Sequence, residues 1–263
     1  MSVTTHDLRS FKQERRRFAM LTAYDHPTAK ILDAAGIPVL LVGDSVGNNV
    51  LGYDSTLPVT MEEMLHHTKA VVRGARNALV VADMPFGSYQ ASVDDGVRNA
   101  ARFLKEAGAG AVKLEGAQLQ LTEALTRAGI PVMGHLGLTP QAVHEMGGYR
   151  VQGRTAEAAR RLQDDALAIE KAGAFATVIE GVPSDVGADI STALSIPTIG
   201  IGAGPGTDGQ VLVINDLLGL NEGPAPRFAK AYTDLRAEIS RAVTAFADEV
   251  ERGTFPDAEH SYR

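Results

Sequence analysis

Short apolar runs recur along the chain, each closed by a polar residue or a glycine and followed by a longer mixed stretch. Eight of them read as strands: FAMLTAYD (18–25), PVLLVGD (38–44), ALVVADMP (78–85), AVKLEG (111–116), PVMGHLG (131–137), ATVIEG (176–181), PTIGIGAG (197–204) and QVLVIND (210–216). The runs are continuous and not alternating, as expected of strands covered on both faces of a parallel sheet. Between them, MEEMLHHTKAVVRGA (61–75), VDDGVRNAARFLKEAGA (93–109) and AEAARRLQDDALAIEKAGA (156–174) read as helices. AG or AGA before the next strand fits a helix terminated by a left-handed glycine. This alternation predicts an α/β fold, a (β/α)8 TIM barrel, with a doubly wound open sheet as its rival. Residues 227–253 read as a long amphipathic C-terminal helix, and Arg15, Arg16 and Arg17 as the solvated end of a helix before the first strand. No linker or low-complexity segment divides the chain, so a single domain over 1–263 is expected, with helical extensions at both ends.

Composition narrows the possible functions. A chain of 263 residues, 44% hydrophobic, is long enough for one sizeable core. The formal charge of −7 argues against nucleic-acid binding, which needs a basic face. With no cysteine, disulfides, thiolate metal sites and a cysteine nucleophile are excluded. The N-terminal segment lacks the apolar stretch of a secretory signal, and no run approaches the roughly 18 apolar residues of a membrane span. A soluble cytoplasmic protein is the expectation.

Most strand candidates stop on a polar residue: Asp25, Asp44, Asp83, Lys113 with Glu115, His135 and Glu180. In a parallel barrel all these ends open onto one face, where catalytic groups gather. Any one acid there has a plain alternative as the N-cap of the following helix. Together they are costly unless they pair or bind a cation. Asp44, Asp83 and Glu115 offer hard oxygen, which favours Mg²⁺ or Mn²⁺ over a closed zinc site. His66 and His67 are adjacent on a helix and cannot share one ion. His135 either lines the pocket or makes structural hydrogen bonds. GPGTDG (204–209) matches G-x-G-x-x-G, but a strand follows it instead of a helix, so it reads as a tight turn at the mouth. Gly43 and Gly47 are expected to supply unusual dihedrals or close backbone approach to a ligand. Pro58 and Thr60 should end the loop YDSTLPVT and cap a helix from Met61.

The segments LTAYDHPTAKILDAAGI, LLVGDSVGNNVLGYDSTLPVTMEEMLHHTKAVVRGA, VVADMPFGSY, VKLEG, PVMGHLGLTPQ, GGYRVQGR and PTIGIGAGPGTDGQVLV resemble the ketopantoate hydroxymethyltransferase family, from about residue 16 to the C-terminal PDAEHSYR. The resemblance implies a (β/α)8 barrel that moves a one-carbon unit from 5,10-methylenetetrahydrofolate to 3-methyl-2-oxobutanoate, giving 2-dehydropantoate for pantothenate synthesis. It implies Asp44 and Asp83 as ligands of one Mg²⁺, with Glu115 a further metal-site acid acting through water. Asp44, Ser45, Asp83 and Lys113 then hold the oxo-acid, and Glu180 is the general base. It also implies a homo-oligomer, often a decamer of two stacked pentameric rings. GGYRVQGR would be a flap over the site or an oligomer contact. Two other readings are a phosphoenolpyruvate mutase or isocitrate-lyase-like barrel, whose lyases generally carry a cysteine-bearing loop absent here, and a non-catalytic oligomeric scaffold.

Overall fold

In the computed structural model, residues 2–223 and 225–262 are described. The chain forms two compact units, Met1–Val213 and Ile214–Arg263.

The first unit is a closed barrel of eight parallel strands in sequential order. They are β1 (Phe18–Thr22), β2 (Val39–Val42), β3 (Leu79–Asp83), β4 (Ala111–Lys113), β5 (Val132–Gly137), β6 (Ala176–Glu180), β7 (Thr198–Ile201) and β8 (Gly209–Leu212), and β8 pairs back onto β1. The helices are α1 (Thr5–Gln13), α2 (His26–Ala34), α3 (Met61–Gly74), α4 (Val93–Ala107), α5 (Leu119–Arg127), α6 (Ala156–Lys171) and α7 (Ser184–Ala193). Local chemistry sets their ends. Asp25 accepts from Thr28 N–H at 2.8 Å and so starts α2, its cap role and not a site role. Thr60 and Glu63 form a reciprocal capping box at the start of α3, where the helix was expected. Gly108, at φ +76°, closes α4.

Along a strand, alternate side chains face the same side of the sheet. The barrel's inner apolar cluster takes Leu79 and Val81 from β3, Ala111 from β4, Met133 from β5, and Ala176 and Val178 from β6. A second cluster, including Leu136, Ile169, Ile179 and Ile190, fills the space between sheet and helices. Continuous apolar strands are thus explained by two cores, one on each face.

α1 closes the N-terminal end of the barrel. Its reciprocal cap, Thr4 with Asp7, sets the start, and Leu8 and Phe11 join the inner cluster beside Phe18 and Val39. Lys12 Nζ reaches Asp208 at 2.7 Å and the Ser191 carbonyl at 2.8 Å. Asp208 also accepts from the Thr198 backbone at 2.8 Å, so the far end of the glycine-rich 204–209 segment is structural.

The sequence pattern overran in several places. Residues 202–208 join β7 to β8 without a helix. The candidate strand 210–216 ends at Leu212, and Ile214–Leu218 form α8, because an apolar run carries no mark where strand gives way to helix. The C-terminal helix, α9 (Leu235–Glu251), begins later than 227 because Asp234 accepts from Ala237 N–H at 3.0 Å and caps it there. Gly43 and Gly47 do not adopt positive φ. Space is what requires them: a Cβ on Gly43 would meet Ser45 Oγ at 2.7 Å, and one on Gly47 would meet Val59 Cγ2 at 2.7 Å.

Because Leu8 is fully buried against the barrel interior, Leu8→Ala should cost about 2–5 kcal/mol in urea unfolding while leaving the opposite face of the barrel unchanged.

Candidate active site

Two residues beyond the inner apolar positions, the same face of the strands turns polar. Val81 is followed by Asp83, Ala111 by Lys113, Met133 by His135 and Val178 by Glu180. The strands involved are β3 to β6, consecutive in the ring, so the charges collect on one side of the C-terminal mouth. Pairing across neighbouring strands sets Asp83 level with Lys113, and Gly137 level with Glu180. Gly137, at φ +93°, leaves no room for a side chain: a Cβ would lie 2.2 Å from the Glu180 carbonyl.

Apart from Asp25, the structure brings the charged strand-end residues named from the sequence into one cluster. Lys113 Nζ lies 2.8 Å from Asp83 Oδ1, 3.8 Å from Glu115 Oε1 and 3.1 Å from His135 Nδ1. His135 Nδ1 is 3.4 Å from Glu115 Oε1, and its Nε2 is 3.1 Å from Glu180 Oε2. Asp44, just past β2, donates its backbone N–H to Asp83 Oδ2 at 3.2 Å. Ser45 Oγ is hydrogen-bonded to Tyr24 Oη at 2.8 Å. His66 and His67 stay outside the cluster on α3, where His67 Nδ1 meets the Tyr24 carbonyl at 2.6 Å.

Burial decides the electrostatics. Asp44, Asp83, Lys113, Glu115 and His135 are each at most 5% exposed, whereas the Glu180 side chain is 15% exposed. Burial first, then repulsion from Asp83 and Glu115, pushes the Asp44 carboxyl well above the usual carboxylate range. Burial likewise raises Asp83, against the pull of Lys113. Burial opposes the charge on Lys113, but Asp83, Glu115 and Asp44 outweigh it and keep the ammonium. Glu115 is lowered: burial is overcome by His135 and Lys113. For His135, burial and Lys113 favour the neutral ring, yet Glu115 and Glu180 win and lift it to about 9.

Four acids (Asp44, Asp83, Glu115 and Glu180) therefore face one ammonium and one imidazolium in a dry mouth, more acids than cations to balance them. Asp83 Oδ1 is buried without a hydrogen bond, since Lys113 approaches it closely but outside hydrogen-bond angles. His135 Nε2 stands the same way toward Glu180. A buried carboxylate oxygen met by an ion pair but by no hydrogen bond, beside a second acid, is a donor set that fits a hard divalent cation. Among the described residues no three His, Asp or Glu side chains form a ready-made metal cluster. The fit is therefore to an ion held by two acids, with positions left for other oxygen ligands.

Three residues of this wall were not singled out from the sequence. Gln141, on the 3₁₀ turn Pro140–Ala142, bonds both Asp44 and Glu115. Tyr89 and Tyr24 are buried beside it and beside Ser45. Tyr24 lies on the inward alternation from Met20 in β1, a signal available in the sequence; Gln141 and Tyr89 come from irregular loops and have no such periodicity, though each ends a segment that carries the family resemblance.

Residues 2–258 match the family model described as ketopantoate hydroxymethyltransferase. The chain belongs to that family. It is 56% identical over 262 residues to 3-methyl-2-oxobutanoate hydroxymethyltransferase of Syntrophus aciditrophicus (strain SB), covering 99% of this chain and 96% of that protein. It is also 56% identical to the protein of that name from Thermobifida fusca (strain YX), covering 99% and 93%. The chain is thus a transferase, as its resemblance implied. Among solved structures, a phosphoenolpyruvate phosphomutase from Streptomyces platensis subsp. rosaceus superposes with TM-score 0.62 at 16% identity, covering 99% of this chain and 92% of that one. A phosphonopyruvate hydrolase superposes with TM-score 0.62 at 15% identity, covering 98% and 93%. At those identities the likeness is one of fold, and it does not favour the lyase reading over the transferase.

Lys113 is the ammonium between buried acids. Lys113→Met should destabilise the metal-free protein by about 3–5 kcal/mol in denaturant titrations with EDTA present, because it leaves Asp83 and Glu115 uncompensated.

Proposed function

We propose that the enzyme transfers the one-carbon unit of 5,10-methylenetetrahydrofolate to 3-methyl-2-oxobutanoate, giving 2-dehydropantoate and tetrahydrofolate. The observation that carries this reading is the excess of buried carboxylate at one side of the mouth, with a more accessible acid, Glu180, across His135 from it. Family membership supplies the substrate name, which the relatives carry.

Asp44 and Asp83 would hold one Mg²⁺, with Glu115 joining through water. When bound, the ion supplies Lewis-acid withdrawal of charge from the oxo-acid's carbonyl and carboxylate oxygens. The remaining work falls to the protein. Lys113 and Ser45 orient the oxo-acid, the first by charge and the second by a hydroxyl already aligned by Tyr24. Glu180, off the ion and more open than the other acids, takes the proton from C3. The resulting enolate carbon bonds to the folate methylene carbon, which gives up both of its C–N bonds. One water supplies the hydroxyl oxygen, while the C3 proton and one water proton finish on the two folate nitrogens. Burial of the cluster keeps bulk water from the enolate until the second substrate arrives.

The enzyme works as a homo-oligomer in the cytoplasm on this reading, the decamer being the form the resemblance implies. No described helix is long and apolar enough to cross a membrane. In the second unit, α9 carries Ile239, Val243, Phe246 and Val250 along one face, all exposed at 48–61%. Three- and four-residue spacing makes them one stripe, and such a stripe favours burial against a second copy.

The test follows C3–H exchange of 3-methyl-2-oxobutanoate in D₂O by NMR with folate omitted. Exchange should require added Mg²⁺ and stop with EDTA, and Glu180→Gln should slow it by about 10²–10⁴-fold while oxo-acid binding persists. Exchange at the wild-type rate in Glu180→Gln would remove it from the base role. Separately, Val243→Glu with Phe246→Glu should lower the mass seen in analytical ultracentrifugation; an unchanged mass would take α9 out of the subunit contact.

A further inference from the structure

Gln141 is buried, and both polar atoms of its carboxamide are fully used. Nε2 donates to Asp44 Oδ2 at 2.9 Å and to the Met84 carbonyl at 2.9 Å. Oε1 accepts from Tyr89 Oη at 2.7 Å and from Gln90 Nε2 at 3.1 Å. Its backbone N–H donates to Glu115 Oε2 at 2.9 Å. A backbone carbonyl can only accept, so the end of the amide facing Met84 is the nitrogen, and the group cannot be flipped.

The direction of the whole chain of bonds follows. Glu115 N–H donates to Tyr89 Oη at 3.2 Å, which leaves the phenol proton for Gln141 Oε1. Gln141 in turn gives an N–H to Asp44 Oδ2. No hydrogen bond reaches Asp44 Oδ1 among the described residues. One short turn after β5 thus fixes which oxygen of Asp44 is engaged and which is free. It also ties the loops after β2, β3 and β4 to one another.

We propose that Gln141, held by Tyr89, is a positioning residue for the metal site: it occupies Asp44 Oδ2 so that Oδ1 faces the ion, and it sets Glu115 at the same time. This rests on the reading of Asp44 as a metal ligand. Outer hydrogen bonds to ligating carboxylates orient them, and their loss typically weakens metal binding. Simple stitching of loops would behave differently, since removing a stitch lowers the melting temperature and leaves the ion's affinity alone.

The experiment titrates Mn²⁺ alone into metal-free wild-type, Gln141→Leu, Tyr89→Phe and Asp44→Asn enzyme, counting free ion by electron paramagnetic resonance. Melting temperature and kcat against metal concentration are recorded for the same samples. Gln141→Leu should bind Mn²⁺ about 10–100-fold more weakly, and its kcat should return toward the wild-type value once metal saturates. Tyr89→Phe, which frees the amide without removing it, should show a smaller loss in the same direction. Wild-type Mn²⁺ affinity in Gln141→Leu, with affinity lost in Asp44→Asn, overturns the proposal and leaves the ligand reading intact. Wild-type affinity in both overturns the two together. Should Gln141→Leu fail to fold, Tyr89→Phe decides: weaker Mn²⁺ binding at an unchanged melting temperature supports the positioning role, and unchanged binding rejects it.

Discussion

The constraint on which this structure turns is the cost of like charge in a dry place. Asp44, Asp83 and Glu115 lie together at the barrel mouth, almost out of reach of water, with Lys113 the one ammonium between them. An isolated carboxylate there would shed its charge by taking a proton, which is the direction in which Asp44 and Asp83 are pushed. Lys113 and His135 oppose that push, but four acids against two cations leave an attraction for further positive charge. The acids at the mouth therefore outnumber the cations, and on the proposed reading a divalent cation and an anionic substrate complete the site.

That arrangement is affordable because the rest of the barrel is conventional. The lower layers of the interior are apolar, and α1 seals the end away from the site with Leu8 and Phe11. Asp208, bonded to Lys12, Thr198 and Ser191, and Asp33, bonded to Asn77 and Ala78, use acids in the ordinary way, with every charge met by donors. Acids on the N-terminal face bind the fold together, and acids on the C-terminal face strain against it. This polarity follows from the parallel barrel, which sends all strand ends the same way.

How much of this could be read beforehand follows the same division. Strands were legible because two-sided burial writes continuous apolar runs, and Asp83, Lys113, His135 and Glu180 were legible because they close those runs. Alternation sorts them further: each stands two residues beyond an inward apolar residue, while Asp25 turned out to cap α2. Asp44 breaks the alternation, since Gly43 holds the inward position, and it reaches the site only by the turn after β2. Gln141 and Tyr89 lie in irregular segments, where spacing carries no information about direction. Their importance appears only once the hydrogen bonds are traced. The glycines misled for a related reason: their need at 43 and 47 is steric, and sterics depend on neighbours far along the chain.

Fold and chemistry separate cleanly here. The phosphomutase and hydrolase that superpose on this barrel share its path through space at 15–16% identity, and a barrel of this kind hosts many reactions. What distinguishes a hydroxymethyltransferase must lie in the residues at the strand ends and in the loops that hold them. A base has to remain unligated and within reach of carbon, while other acids surrender their charge to an ion. In this chain the difference is drawn by surroundings: Asp44 and Asp83 share one buried corner, and Glu180 is kept apart from it by the His135 ring, more open to the mouth. On the proposed reading, side chains of one chemical class, the carboxylic acids, thereby serve two purposes, and the spacing between strands, which the backbone fixes, keeps the purposes distinct.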